Sequence, residues 1–198
     1  VTEKKDRKVD VLSQRLLLDG FFKVEEAVVS FEKMDGSMSA PVRRLDLKRE
    51  DAVCALVINK AKGTVVLVRQ FRYAALSRNQ AYPLELVAGL VDLGEPPQDA
   101  IRREILEETG FAVGDLTRLF TFYPSPGITS ERGIIFYGET EGTEPVEKGG
   151  GLAEESEDIA VVEVSFAEAF AMVERGEIYD GKTIIGLLWL KDKLHTTP

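Results

Sequence analysis

The chain has 198 residues, 44% hydrophobic and 30% charged, which suits one ordinary soluble domain with an extension. Its 34 acidic and 25 basic side chains leave a formal net charge of −9, which argues against non-specific binding to nucleic acid or to an anionic membrane. One cysteine, Cys54, excludes an internal disulfide and any multi-cysteine metal site, and one histidine, His195, argues against a Ser-His-Asp triad or a multi-His metal centre.

Residues 1–10 are charged, with no apolar signal core behind them, and no apolar run approaches the roughly 20 residues that span a bilayer. The expectation is a cytoplasmic protein. Residues 17–46 read as extended segments about a turn at Asp35-Gly36. Residues 52–58 and 65–68 are near-continuous apolar runs, predicting strands covered on both faces, with Cys54 a small core residue. A short strand is expected over 84–88.

Proline at 96 and 97 and glycine at 110 bracket a helix predicted over 98–109. Strands follow over 116–122 and 133–139, parted by Pro124-Ser125-Pro126-Gly127. Residues 141–158, rich in Gly and Glu, read as a mobile acidic loop. A strand over 159–164, a helix over 166–175 and a last helix over 182–194 complete the chain. Strands mixed with a few helices predict an α/β fold, a mixed sheet with helices on both faces.

On the helix over 98–109, Glu104, Glu107 and Glu108 stand at i, i+3 and i+4 and share a face, while Ile101 and Ile105 on the other side can anchor it. Three acidic residues so placed are either a solvated face or a hard-oxygen site for Mg²⁺ or Mn²⁺. Arg103, one turn before Glu107, can pair with it and leave the other two for a metal. An acidic protein that binds an anionic ligand needs such cations or local basic groups.

The wider pattern decides between these readings. Gly89, five residues, Glu95, seven residues, Arg103-Glu104, then Ile105, Glu107-Glu108, Gly110 and Phe111 resemble the Nudix box. That box is the signature of hydrolases that cleave a nucleoside diphosphate linked to another group. The resemblance implies an α/β/α sandwich with a mixed sheet in residues 48–198, preceded by an N-terminal antiparallel β extension over 1–47. It implies Mg²⁺, with Mn²⁺ as the other possibility, on Glu104, Glu108 and the Ala88 carbonyl. Glu107 stands beside them, and Glu95 and Arg103 brace loop and helix. Glu107 and Arg103 fall with Glu155 in the catalytic set.

The flanks resemble the ADP-ribose pyrophosphatase and nucleoside-diphosphate-sugar branch. They comprise Ser125-Pro126-Gly127-Ile128-Thr129-Ser130-Glu131, Gln70-Phe71-Arg72-Tyr73, Glu85-Leu86-Val87-Ala88-Gly89 and Glu155-Ser156-Glu157-Asp158-Ile159. Ile128 departs from the second glycine common in the ADP-ribose enzymes. By this resemblance Glu157 completes the metal set and Glu155 is the general base on a loop that closes over the substrate. Arg72 clamps the diphosphate, since a guanidinium matches phosphate geometry. Arg43 reaches the nucleotide across a homodimer formed by the N-terminal region, and Phe21 or Phe22 stacks on the base. Ser125, Pro126, Gly127, Leu90 and Glu131 line the substrate, Glu131 facing a sugar hydroxyl. Asp180-Gly181-Lys182-Thr183 looks more like the GDP-mannose-cleaving members and makes Lys182 a diphosphate contact.

The function implied is a Mg²⁺-dependent pyrophosphatase of small nucleotide sugars. ADP-ribose, giving AMP and ribose 5-phosphate, is expected first, and GDP-mannose or another nucleotide sugar is the alternative. A triphosphate sanitiser would need neither the extension nor the Ser-Pro-Gly loop, and a non-catalytic metabolite sensor would not need every box glutamate.

Overall fold

The computed structural model describes residues 6–152, 154 and 157–196. They fall into two compact units. The smaller comprises residues up to Glu50 together with Ser125–Glu131, and the larger comprises Asp51–Pro124 and the chain from Arg132 onward.

In the smaller unit, β1 (Val9–Asp19), β2 (Lys23–Phe31) and β3 (Val42–Lys48) form an antiparallel sheet in that order. The turn expected at Asp35-Gly36 is present, with the Ser37 N–H and hydroxyl both donating to Asp35 Oδ1, at 2.9 and 2.6 Å. The connection from β1 to β2 is a second turn, and it holds Phe21 and Phe22. The loop after Pro124 belongs to this unit: Leu47 N–H donates to the Ile128 carbonyl, and the Thr129 hydroxyl donates to the Leu47 carbonyl, each at 2.8 Å. Strand β1 mixes apolar with polar side chains and is exposed at every residue but Asp10. Val11, Leu12, Leu16 and Leu18 are each more than half exposed. Successive side chains of a strand point to opposite faces, so neither face of β1 is covered within the unit.

The larger unit is built on a mixed seven-stranded sheet. Strands β4 (Ala52–Asn59) and β5 (Thr64–Arg69) are central, with β6 (Leu84–Glu85) paired to β5 and β7 (Val87–Leu90) to β4. Strands β8 (Val113–Phe122), β9 (Gly133–Thr140) and β10 (Ala160–Ser165) complete the order β10-β5-β4-β9-β8. The β4–β9 pair is parallel and the others are antiparallel.

Alternation along β4 fills two cores. Val53, Ala55 and Val57 pack with Ala100, Ile101 and Ile105 of helix α2 (Pro97–Thr109). Cys54, Leu56 and Ile58 pack with Ala169 of α3 (Phe166–Glu174) and Leu187 and Leu190 of α4 (Gly181–Thr196). Helices therefore cover both faces, as the continuous apolar runs predict. Burial pushes the Cys54 thiol up to about 12. A short helix, α1 (Tyr73–Leu76), is not anticipated from sequence, because four residues show no periodicity. Trp189 packs at the edge of the second core with its ring centroid 5.3 Å from that of Tyr137. Among the described residues no helix is long and apolar enough to cross a membrane.

Helix α2 begins with Pro97 at its first turn and ends at Gly110, whose left-handed backbone (φ 72°) stops it. Ile101 and Ile105 are fully buried and seat it on the sheet. Ile105→Ala should destabilise the fold by about 2–5 kcal/mol, seen as a lower urea midpoint with an unchanged slope.

Candidate active site

The box residues assemble on one face of the larger unit because β7, the loop over 91–96 and α2 are consecutive. Gly89 lies where β7 passes under α2, and a Cβ there would run into the Glu104 carboxylate. Only glycine lets that carboxylate rest on the strand. Arg103 is the hub of the surface layer. Its Nη1 donates to Glu104 Oε1 at 2.9 Å and to Glu107 Oε2 at 3.0 Å, while Nε and Nη2 reach Glu95 at 3.4 and 3.3 Å. The expected Arg103–Glu107 pair is present, but Arg103 does not leave Glu104 free: it holds both. The Glu95 bond, with Glu104 and Glu107 adding, keeps the guanidinium charged, and Glu95 is itself held below the usual carboxylate range by Arg103.

The three helix carboxylates are not equivalent. The Glu107 side chain is 26% exposed and that of Glu104 15%. Glu108 is 1% exposed, because it stands at i+3 from Ile105 and i+7 from Ile101 and so turns toward the core. Burial first, then the charges of Glu104 and Glu157, push its pKa up to about 8, against smaller lowering by the Ala88 N–H and by Arg72. Glu104 is likewise raised, by burial before all else. Glu108 Oε2 is buried and accepts no hydrogen bond.

Glu157 comes to this cluster from the acidic loop. The sequence predicts that loop to be mobile throughout, but its glycine segment is tied to the end of α2. Val146 and Glu147 N–H groups donate to the Gly110 carbonyl, Gly150 N–H to Glu108 O at 2.8 Å and Gly151 N–H to Glu107 O at 3.0 Å. Glycines 149, 150 and 151 all have positive φ, the conformation this capping turn requires. Glu157 Oε2 accepts the Leu152 N–H at 3.0 Å, which holds its carboxylate against Gly151. Glu155, the expected general base, lies outside the described residues.

An orphaned buried oxygen, hard carboxylate donors and a Glu108 pKa raised by burial and by the neighbouring charges of Glu104 and Glu157 fit a divalent cation. Among the described residues no three acidic, His or Cys side chains form a ready-made cage.

The remaining sites divide between the units. Arg72, at the start of α1, acts electrostatically on Glu108, and its Nε donates to Glu85 Oε2 at 2.8 Å. Lys182, at the start of α4, donates to Glu85 Oε1 at 2.7 Å and pairs with Asp180 at 3.1 Å. Leu90, at the end of β7, is 44% exposed. In the smaller unit Arg43 and Arg15 both pair with Glu26, Arg15 at 2.7 Å, and Arg15 followed by Arg43 lowers the Glu26 pKa against its burial. Phe21 is 87% exposed in its turn, not in a strand, and its ring lies edge-on to Phe22. Arg49 stands over both rings, 6.0 and 5.3 Å from their centroids, and pairs with Glu131 at 3.3 Å. Ser125, Pro126 and Gly127 form the turn before it, closed by Ile128 and Thr129 N–H groups on the Ser125 carbonyl. Sequence reasoning assigned no role to Glu85 or Asp180. The signal for Glu85 was a charge between Leu84 and Leu86 in an otherwise apolar stretch.

The Glu108 shift predicts a pH dependence. The folded, cation-free protein keeps this proton to about pH 8, whereas the unfolded chain loses it near 4.5. The folded state therefore binds more protons between those values, and this group's contribution to stability falls as pH rises through that window. Glu108→Gln should stabilise the cation-free protein by on the order of a few kcal/mol at pH 9 and by nothing near pH 4, read from urea unfolding in chelator.

The NUDIX domain family matches residues 48–184. A protein named GDP-mannose pyrophosphatase from Pectobacterium atrosepticum is 39% identical over 179 residues, 89% of this chain and 91% of the relative. Proteins of the same name from Enterobacter sp. and Escherichia coli are 35% and 36% identical, each over 93% of this chain and at least 95% of their own length. A solved structure described as an ADP compounds hydrolase shares the fold, with a TM-score of 0.73 at 23% identity over 95% of both chains. With the box residues gathered on an anchored helix and a match over most of its length, the chain belongs to the Nudix hydrolase family.

Proposed function

We propose that this protein is a divalent-cation-dependent pyrophosphatase of nucleoside diphosphate sugars, with GDP-mannose the first substrate and Mg²⁺ the metal. The observation that carries the reading is the buried Glu108 carboxylate, one of whose oxygens accepts no hydrogen bond, beside Glu104 and Glu157 and within electrostatic reach of Arg72. The relatives' name favours GDP-mannose over ADP-ribose, reversing the order expected from the sequence; the ADP compounds hydrolase, at 23% identity, speaks only to the fold. ADP-ribose stays in the panel because of the Ser125-Pro126-Gly127 loop and Glu131.

In this reading Glu104, Glu108, Glu157 and the Ala88 carbonyl hold the cations. A divalent cation held by them would supply positive charge to the diphosphate oxygens and lower the pKa of the attacking water. Arg103 fixes the rotamers of Glu104 and Glu107, so the carboxylates meet the charge already oriented. Arg72 and Lys182 bind diphosphate oxygens, and Glu155 takes the proton from the attacking water. Phe21 stacks on the base, Arg43 reaches the nucleotide, Leu90 contacts the substrate, and Glu131 bonds a sugar hydroxyl. Cleavage of the anhydride leaves a nucleoside monophosphate and a sugar phosphate.

The exposed apolar side chains of β1 support a homodimer through the N-terminal sheet, and in this reading the enzyme works in the cytoplasm. Sedimentation equilibrium should give twice the 21.9 kDa chain mass, and a fully active monomer would refute the assembly.

Release of sugar phosphate from GDP-mannose, ADP-ribose and UDP-glucose with Mg²⁺ should be fastest for GDP-mannose. Glu104→Gln should lower kcat by at least about a hundredfold while circular dichroism is unchanged. Unchanged turnover would remove the box from the reaction.

A further inference from the structure

Glu85 is a carboxylate in a place suited to a hydrocarbon. It lies on β6 between two buried leucines and is 5% exposed. A carboxylate so buried persists only when paired. Its partners arrive from distant parts of the chain, and each takes one oxygen: Arg72 Nε donates to Oε2 at 2.8 Å and Lys182 Nζ to Oε1 at 2.7 Å.

The Lys182 end is fixed further. Asp180 Oδ1 pairs with Lys182 at 3.1 Å, while Asp180 Oδ2 accepts the Thr183 N–H at 3.0 Å and the Thr183 hydroxyl at 2.6 Å. The Leu86 N–H donates to that hydroxyl at 2.9 Å, so the residue after Glu85 is tied to the same helix start. Burial lowers the Lys182 pKa, but Asp180 and Glu85 outweigh it and the amine stays above its ordinary value.

Exposure rises outward from the anion. The Glu85 side chain is 7% exposed, that of Lys182 19% and that of Arg72 40%. The carboxylate lies beneath and the two cations lie nearer solvent, with Arg72 acting on Glu108 of the acidic cluster. One rigid carboxylate holding a cation on each oxygen fixes the spacing between them, which a flexible Arg and Lys could not fix alone.

We propose that Glu85 is a positioning residue: it sets the spacing and aim of Arg72 and Lys182, so that the two cations meet neighbouring phosphoryl groups of the substrate without Glu85 touching it. The inference rests on the reading of Arg72 and Lys182 as diphosphate contacts.

Steady-state kinetics on GDP-mannose with Mg²⁺ test it. Glu85→Gln keeps the side-chain volume but removes the charge; it should raise KM about tenfold or more and change kcat less than about threefold. The Mg²⁺ concentration for half-maximal activity should not move. Glu85→Asp, which keeps the charge, should recover part of the lost KM, and it carries the same comparison if Glu85→Gln fails to fold. In an Arg72→Ala/Lys182→Met background, the Glu85 substitution should leave KM within about twofold, since the groups it positions are gone. Retention of the full KM increase in that background, or a loss confined to kcat, overturns the inference while leaving the functional reading intact. A wild-type protein that turns over none of the nucleotide sugars overturns both.

Discussion

Burial of one carboxylate at the end of helix α2 is the constraint on which the larger unit depends. Glu108 is 1% exposed, with one oxygen unpaired and two like charges nearby. Such a group costs free energy unless it is neutralised or meets a cation. The fold tolerates it because the same helix buries Ala100, Ile101 and Ile105 in a core shared with β4, β5 and β7. The strain is local and the anchoring is broad, which is how functional sites persist in stable folds.

The ends of α2 are fixed as firmly as its buried face. On the side of its start, Arg103 from mid-helix reaches back to bind Glu95 of the preceding loop, which ties loop to helix. At the other end, the backbone of residues 146–151 caps the last carbonyls and delivers Glu157. A flexible composition thus yields a defined connection: the glycines are needed for their backbone angles, not for looseness. Net acidity and binding of an anion are compatible because charge is sorted in space, carboxylates gathered on α2 and Arg72 with Lys182 gathered on Glu85.

Local pattern made much of this legible. The apolar runs over 52–58 and 65–68 announced strands covered on both faces, and alternation along β4 divides them between two cores as that predicts. Proline before and glycine after the box helix placed its ends to within a residue. Spacing alone put Glu104, Glu107 and Glu108 near one another. It did not grade them, since their different burial depends on where Ile101 and Ile105 seat the helix. Nor did it foretell that Ser125–Glu131 would join the N-terminal unit, which depends on pairing with Leu47 far back in the chain.

Residue types at short spacing therefore determined the helix, its carboxylates and the family, because those features are read within a few turns of backbone. The tertiary structure alone decided that Glu108 is buried with one oxygen unpaired, that Gly89 must admit Glu104, and that Glu85 gathers Arg72 and Lys182. Each of these joins residues on different elements, and the energy of burying a charge is set by what surrounds it in space, whatever its neighbours in sequence.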